Sequence, residues 1–184
     1  MLRYFEYMNK FMYKYFNEIL LVIILLISLI IRISNFSVEN IYSNPDANSY
    51  YLIVNHIIKY SEYPLVGPST GFIPELKRSP VWYYFQAAIL LINNDILFLG
   101  WVNIFLNILT ILSVYLLARL MFSKETGLIA ATLFSFSNFA YQQTIFYIWD
   151  PFTTEYFVIF SLLAIIWSYR RNSYLIFLLG IFLY

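Results

Sequence analysis

The sequence predicts an all-α protein: a polytopic membrane helix bundle with a structured extracytoplasmic first loop that contains surface helices. Three observations predict it. Of the 184 residues, 61% are hydrophobic and only 11% charged, with a mean hydropathy of +0.70. Soluble domains average about 45–50% apolar and ~25% charged residues, so this surplus has no dry interior large enough to take it, and the solvent must be lipid. Several stretches also reach spanning length without a charge, and the basic residues gather in short loops of one parity. The rest of the composition narrows chemistry by exclusion. Eleven Lys plus Arg against ten Asp plus Glu leave a charge of +1, with no basic surplus for a nucleic-acid partner. The absence of cysteine removes disulfides, thiolate metal sites, iron–sulfur clusters and thiol nucleophiles together. Eighteen Tyr and eighteen Phe suit the two headgroup belts of a membrane protein.

In chain order, the first apolar stretch runs Ile19 to Ile31 and spans as 19–36 if Arg32 snorkels. No small-residue cleavage site follows it, and the basic-aromatic segment Tyr4 to Tyr15 before it reads as lying on the cytoplasmic surface. Spans follow at 96–118, 127–149 and 152–169, and a further one begins at 174–184. Asp150 and Pro151 suit the start of the 152–169 helix as cap and first-turn proline, and Arg170 and Arg171 its end. Pro80 to Ile92 is apolar but too short to cross. With it kept out of the membrane, Arg3, Lys10, Lys14, Arg119, Lys124, Arg170 and Arg171 fall on one side, seven of eleven basic residues, which is the positive-inside pattern and puts the N-terminus in the cytoplasm. The outer loop is then 34–95. Within it, Asp46 to Tyr60 carries Tyr50, Leu52, Ile53, Val54, Ile57 and Ile58 on helix-compatible spacing, and Tyr63 to Pro74 is a turn-rich connector with Pro64, Gly67, Pro68, Gly71 and Pro74. The chain stops inside the apolar run Gly180 to Tyr184, which predicts that 1–184 is the N-terminal part of a longer membrane protein.

The loop carries most of the candidate chemistry. Asp46 opens the loop helix; it reads first as an N-cap, with a carboxylate able to take a proton from a hydroxyl or hold a metal as the alternative. Lys77 and Arg78, just before Ser79 and Pro80, are placed to grip a lipid phosphate or to anchor in headgroups. Arg32, at the end of the first span, reads as snorkelling, with a polar cavity as the alternative. Glu155, one turn into a span, must face the bundle, water or the interface. Gly100, Asn103, Asn107 and Thr110 share one helix face and read as packing residues. His56, the sole histidine, cannot build a multi-histidine metal site, and neither a Ser-His-Asp nor a P-loop pattern is present.

The order of these features resembles the first part of the GT-C superfamily of glycosyltransferases, which includes the family 39-like, lipid A aminoarabinose transferase-like and protein mannosyltransferase-like enzymes. The residues that carry the resemblance are Asp46 at the start of a loop helix, Pro64 to Thr70, a basic residue before Pro80 to Tyr84, Val114 to Phe122 running into Gly127 to Ala131, and Ile148 to Pro151. The resemblance implies a multi-pass cell-membrane transferase moving a hexosyl or pentosyl unit, with inversion, from a polyprenyl-phosphate donor to a lipid, glycan or protein acceptor at the outer face. It implies Asp46 as the catalytic group that positions or deprotonates the acceptor, and Arg78, with Lys77 beside it, as ligands of the donor phosphate. Ala47 stands where many members carry a second acid, Ser79 replaces a proline, and Asp150 replaces an asparagine, so no role is carried to those positions. No cofactor and no protein metal site is expected, with a divalent metal left open. Membrane lipids are the remaining partners. The alternatives from other classes are a polytopic transporter or flippase, which would place broken helices at mid-membrane, and a non-catalytic membrane scaffold.

Overall fold

The computed structural model describes the backbone of residues 2–37, 39, 45–67, 69–70, 73–77, 79–145 and 154–183. The first helix, α1 (Leu2–Ser34), contains no proline or glycine and runs unbroken through the Tyr4 to Tyr15 segment that the sequence reading laid on the surface. Its 33 residues extend about 50 Å at ~1.5 Å each, beyond the ~30 Å hydrocarbon core. Phe16, Ile19, Val22, Ile23, Leu26, Ile27, Ile30 and Ile33 form an exposed outward stripe, while Leu21, Ser28 and Arg32 point inward. A core helix of a soluble protein would bury that stripe; here it needs lipid.

The loop folds into a layer. Helix α2 (Pro45–Tyr60) covers the predicted stretch and buries Tyr50, Val54 and Ile57 at i, i+4 and i+7. It ends at Ser61, whose positive φ of 55° turns the chain while its N–H donates to the Ile57 carbonyl at 2.9 Å. The connector differs from a plain turn: it contains two short antiparallel strands, β1 (Ser69–Thr70) and β2 (Ile73–Lys77), with Ser69 opposite Lys77 and Thr70 opposite Ile73. Helix α3 (Val81–Ile92) follows and buries Tyr83, Ala87 and Leu90 at the same i, i+4, i+7 spacing, against α2. Its 12 residues give about 18 Å, short of the membrane core, as the sequence predicts.

The bundle is built around α4 (Ile96–Met121), started by Asp95, whose carboxylate accepts from the Leu97 N–H at 2.9 Å. This helix touches α1, α3 and three later helices, and so is buried on several sides. Helix α5 (Lys124–Ser135) turns back along it from an N-cap at Ser123. The contact is closest at Gly127, where a Cβ would lie 2.8 Å from the Tyr115 carbonyl oxygen. The stretch 127–149 is not one helix. Helix α5 stops at Ser135, and the Ser137 hydroxyl accepts from the Ala140 N–H at 3.2 Å, capping a new helix, α6 (Asn138–Ile145). Helix α7 (Thr154–Arg171) ends at Asn172, with a positive φ of 49°, and leads into α8 (Tyr174–Leu183). Asp150 and Pro151, read as the start of this helix, lie outside the described residues. Among the described residues, two helical segments are long and apolar enough to cross a membrane, Tyr15–Ser34 and Ile96–Met121. The helical bundle, with one small pair of strands among the described residues, is the predicted all-α membrane fold.

Candidate functional site

The α2–α3 layer carries the residues singled out in the sequence. Asp46 is the second residue of α2; its side chain lies outside the described residues, as does Arg78. Lys77 closes β2 and is exposed. The rings of Tyr50 and Tyr83 meet at 5.1 Å, so the N-terminal half of α2, one turn beyond Asp46, abuts the first turn of α3, six residues beyond Lys77. The connector is tied to the same place: the Tyr84 hydroxyl donates to the Pro64 carbonyl, and Tyr63 and Tyr84 face each other at 6.3 Å. On the far side of α2, His56 Nδ1 lies 3.2 Å from Glu62 Oε2 in an exposed pair. Among the described residues, no three His, Asp or Glu side chains gather as metal ligands would.

Directly beneath this layer lies a polar cluster that sequence reading missed. Arg32 does not snorkel: it is 1% exposed and points into the bundle. Its Nε donates to Asn107 Oδ1 of α4, Nη1 to the Ser28 carbonyl of its own helix at 3.1 Å, and Nη2 to the Ser135 carbonyl at the end of α5 at 3.3 Å. The Asn107 amide donates in turn to the Ala140 carbonyl of α6 at 3.4 Å. The buried Tyr156 hydroxyl of α7 donates to Asn103 Oδ1 at 3.0 Å and also meets Asn107. The adjacent Glu155 holds Oε1 in the interior without a hydrogen-bond partner among the described residues. Of the shared polar face on α4, then, Asn103 and Asn107 join the cluster, while Thr110 Oγ1 donates to its own helix at Leu106. A signal for this was present in the sequence, because Ser28 and Arg32 sit one turn apart on the inward stripe of α1; nothing in the sequence pointed to Tyr156.

The layer rests on the cluster through aromatic contacts. Phe157, next to Tyr156, sets its ring edge-on at 5.3 Å from Phe85 and 6.3 Å from Trp82 of α3, and Phe36, just past α1, meets Trp101 of α4 at 5.2 Å. The opposite end of the bundle is charged and exposed. Lys124 Nζ binds Glu18 Oε1 at 2.7 Å, Asn17 donates to Glu125 at 3.3 Å, and Arg170 donates to the Leu120 carbonyl. The Glu125 carboxyl is held below its ordinary value by its own backbone N–H, then by Ser123 and Asn17.

An apolar bundle with lipid-facing stripes, a polar buried end and an aromatic layer over that end defines a membrane protein with one differentiated face. Residues 77–183, more than half of the chain, match the model of the dolichyl-phosphate-mannose-protein mannosyltransferase family. The chain belongs to that family, and with it to the membrane glycosyltransferases of the GT-C type. Comparison with curated proteins and with solved structures gives no significant match to either.

Proposed function

We propose that the protein transfers a sugar from a polyprenyl-phosphate donor to a lipid, glycan or protein acceptor at the outer membrane face, with Asp46 as acceptor base and Arg78 and Lys77 as ligands of the donor phosphate. The observation that carries this reading is the meeting of α2 and α3 at Tyr50 and Tyr83, which joins the helix that Asp46 begins to the helix that Lys77 and Arg78 precede. In the reaction, the acceptor oxygen forms a bond to the anomeric carbon as the bond from that carbon to the phosphate oxygen breaks. The electron pair leaves with the polyprenyl phosphate, and the hydroxyl proton passes to the Asp46 carboxylate. A phosphate leaving group needs charge stabilisation rather than a strong acid, which a guanidinium and an ammonium supply. No organic cofactor enters this scheme. The basic residues near Lys124 and Arg170 support a cytoplasmic N-terminus and a multi-pass cell-membrane chain with the layer outside.

The test uses the full-length protein reconstituted in membranes. It is expected to consume a polyprenyl-phosphate sugar; transfer from a nucleotide sugar alone refutes the reading. Asn caps a helix nearly as well as Asp, so Asp46→Asn keeps the cap and removes the base. Turnover should fall by about a hundredfold or more with donor affinity near normal, and unchanged turnover reduces Asp46 to a cap. Because the chain has no cysteine, Val66→Cys should react with an impermeant thiol reagent in intact cells and Lys124→Cys should not. Labelling of position 124 from outside would place the layer on the wrong side.

A further inference from the structure

We infer that Arg32 is a positioning residue for the transfer reaction, acting through the α5–α6 joint and α7 on helix α3, and so on the cations Lys77 and Arg78 before it. The inference rests on the proposed donor site and adds a residue from outside it. The Arg32 guanidinium donates to α1 at Ser28, to α4 at Asn107 and to the last residue of α5, Ser135. Asn107 passes that constraint on, donating to Ala140 of α6 and meeting Tyr156 of α7. The next residue, Phe157, packs on Trp82 and Phe85 of α3. A second route is shorter: Phe36 lies one turn beyond Arg32 and packs against the cluster that joins α2 to α3.

The choice of side chain is what points past simple packing. An apolar residue would fill this joint without desolvating a cation. It would not fix directions, however, whereas the planar guanidinium fork holds its acceptors at set angles, and with them the mutual rotation of α1, α4 and the broken α5–α6 pair. A bundle packed only by apolar contacts keeps its stability more readily than its single arrangement.

The test measures position and catalysis separately in the full-length reconstituted protein. Spin labels at Val81→Cys on α3 and Phe105→Cys on α4, both exposed positions, report where α3 sits. Arg32→Met removes the fork while keeping an unbranched stem; it should shift or broaden that distance and raise the KM for a polyprenyl-phosphate sugar by about two- to thirtyfold, the scale of an indirect coupling. The turnover number should fall by no more than a similar factor, because Lys77 and Arg78 also stabilise the leaving phosphate while the Asp46 base is untouched. Arg32→Lys keeps charge without the fork and should give intermediate values of both distance and KM; it carries the test if Arg32→Met does not fold. A label distance unchanged in the variants overturns the inference whatever the KM does, as does a shifted distance with unchanged KM. If the wild-type protein turns over no polyprenyl-phosphate sugar, the proposed function fails, and a distance that also stays unchanged sinks the positioning role with it, whereas a shifted distance upholds Arg32 as the residue that places α3.

Discussion

The two ends of the bundle both use a cation to join α1 to the α4–α5 pair, and they do it in opposite environments. At one end Lys124 meets the Glu18 carboxylate at 2.7 Å with both side chains about two-fifths exposed. At the other, Arg32 is buried and, among the described residues, its hydrogen-bond acceptors are the Asn107 amide oxygen, the Ser28 carbonyl of its own helix and the Ser135 carbonyl at the end of α5, none of them a carboxylate. Water and salt can replace the first arrangement and cannot reach the second. The difference teaches where rigidity is concentrated. The Lys124 end is a surface clasp, while the Arg32 end fixes the part of the bundle on which the α2–α3 layer rests.

The comparison breaks most visibly if Asn107 is changed. Asn107→Leu removes the side-chain acceptor of the buried Arg32 guanidinium, and the loss should be about 1.5–3 kcal/mol in reversible unfolding in detergent, the scale of a hydrogen bond to a charged group. A Gly127→Leu variant perturbs the α4–α5 seam between the two ends, where a Cβ already meets Tyr115. Overpacking of this kind costs about 1–3 kcal/mol, measured by the same unfolding. Tyr156→Phe removes one neutral donor from Asn103 and should cost about 0.5–1.5 kcal/mol, sharpening the contrast between a charge and a hydroxyl in one cluster. Lys124→Gln should cost only about 0.2–1 kcal/mol, and that difference should shrink in high salt. Smallest is the pH effect of Glu125. Its folded-state pKa is depressed, so its contribution is present above the ordinary carboxyl range and is lost as pH falls through the folded value. Glu125→Gln should therefore lower stability slightly at neutral pH and flatten the acid limb of a thermal-stability profile, so that the two proteins converge at low pH.

Much of the layer was legible in the residues. The spacing of Tyr50, Val54 and Ile57 gives a helix with one apolar face wherever it lies. The shortness of Val81–Ile92 bars it from crossing in any arrangement. The break at Phe136 and Ser137 was not legible, because an apolar run hides a capping serine: hydropathy sees only the composition of 127–149, while the cap is a local hydrogen bond to the Ala140 N–H. The connector strands were missed for a related reason, since Gly and Pro signal a turn but not which segments pair across it.

The sequence by itself determined the lipid environment, the apolar span within α1, the two helices of the long loop and the family, since these follow from composition, period and order along the chain. The direction of Arg32 was decided only by the tertiary structure. Near the end of a helix a long cation reaches either the interface or the interior, and intrahelical spacing leaves both open. Its acceptor Asn107 is 75 residues away in the chain, and Ser135 can accept from it only because α5 stops there and turns into α6. The partners of a buried charge are set by how whole helices rotate against one another, a property that no single segment of the sequence contains.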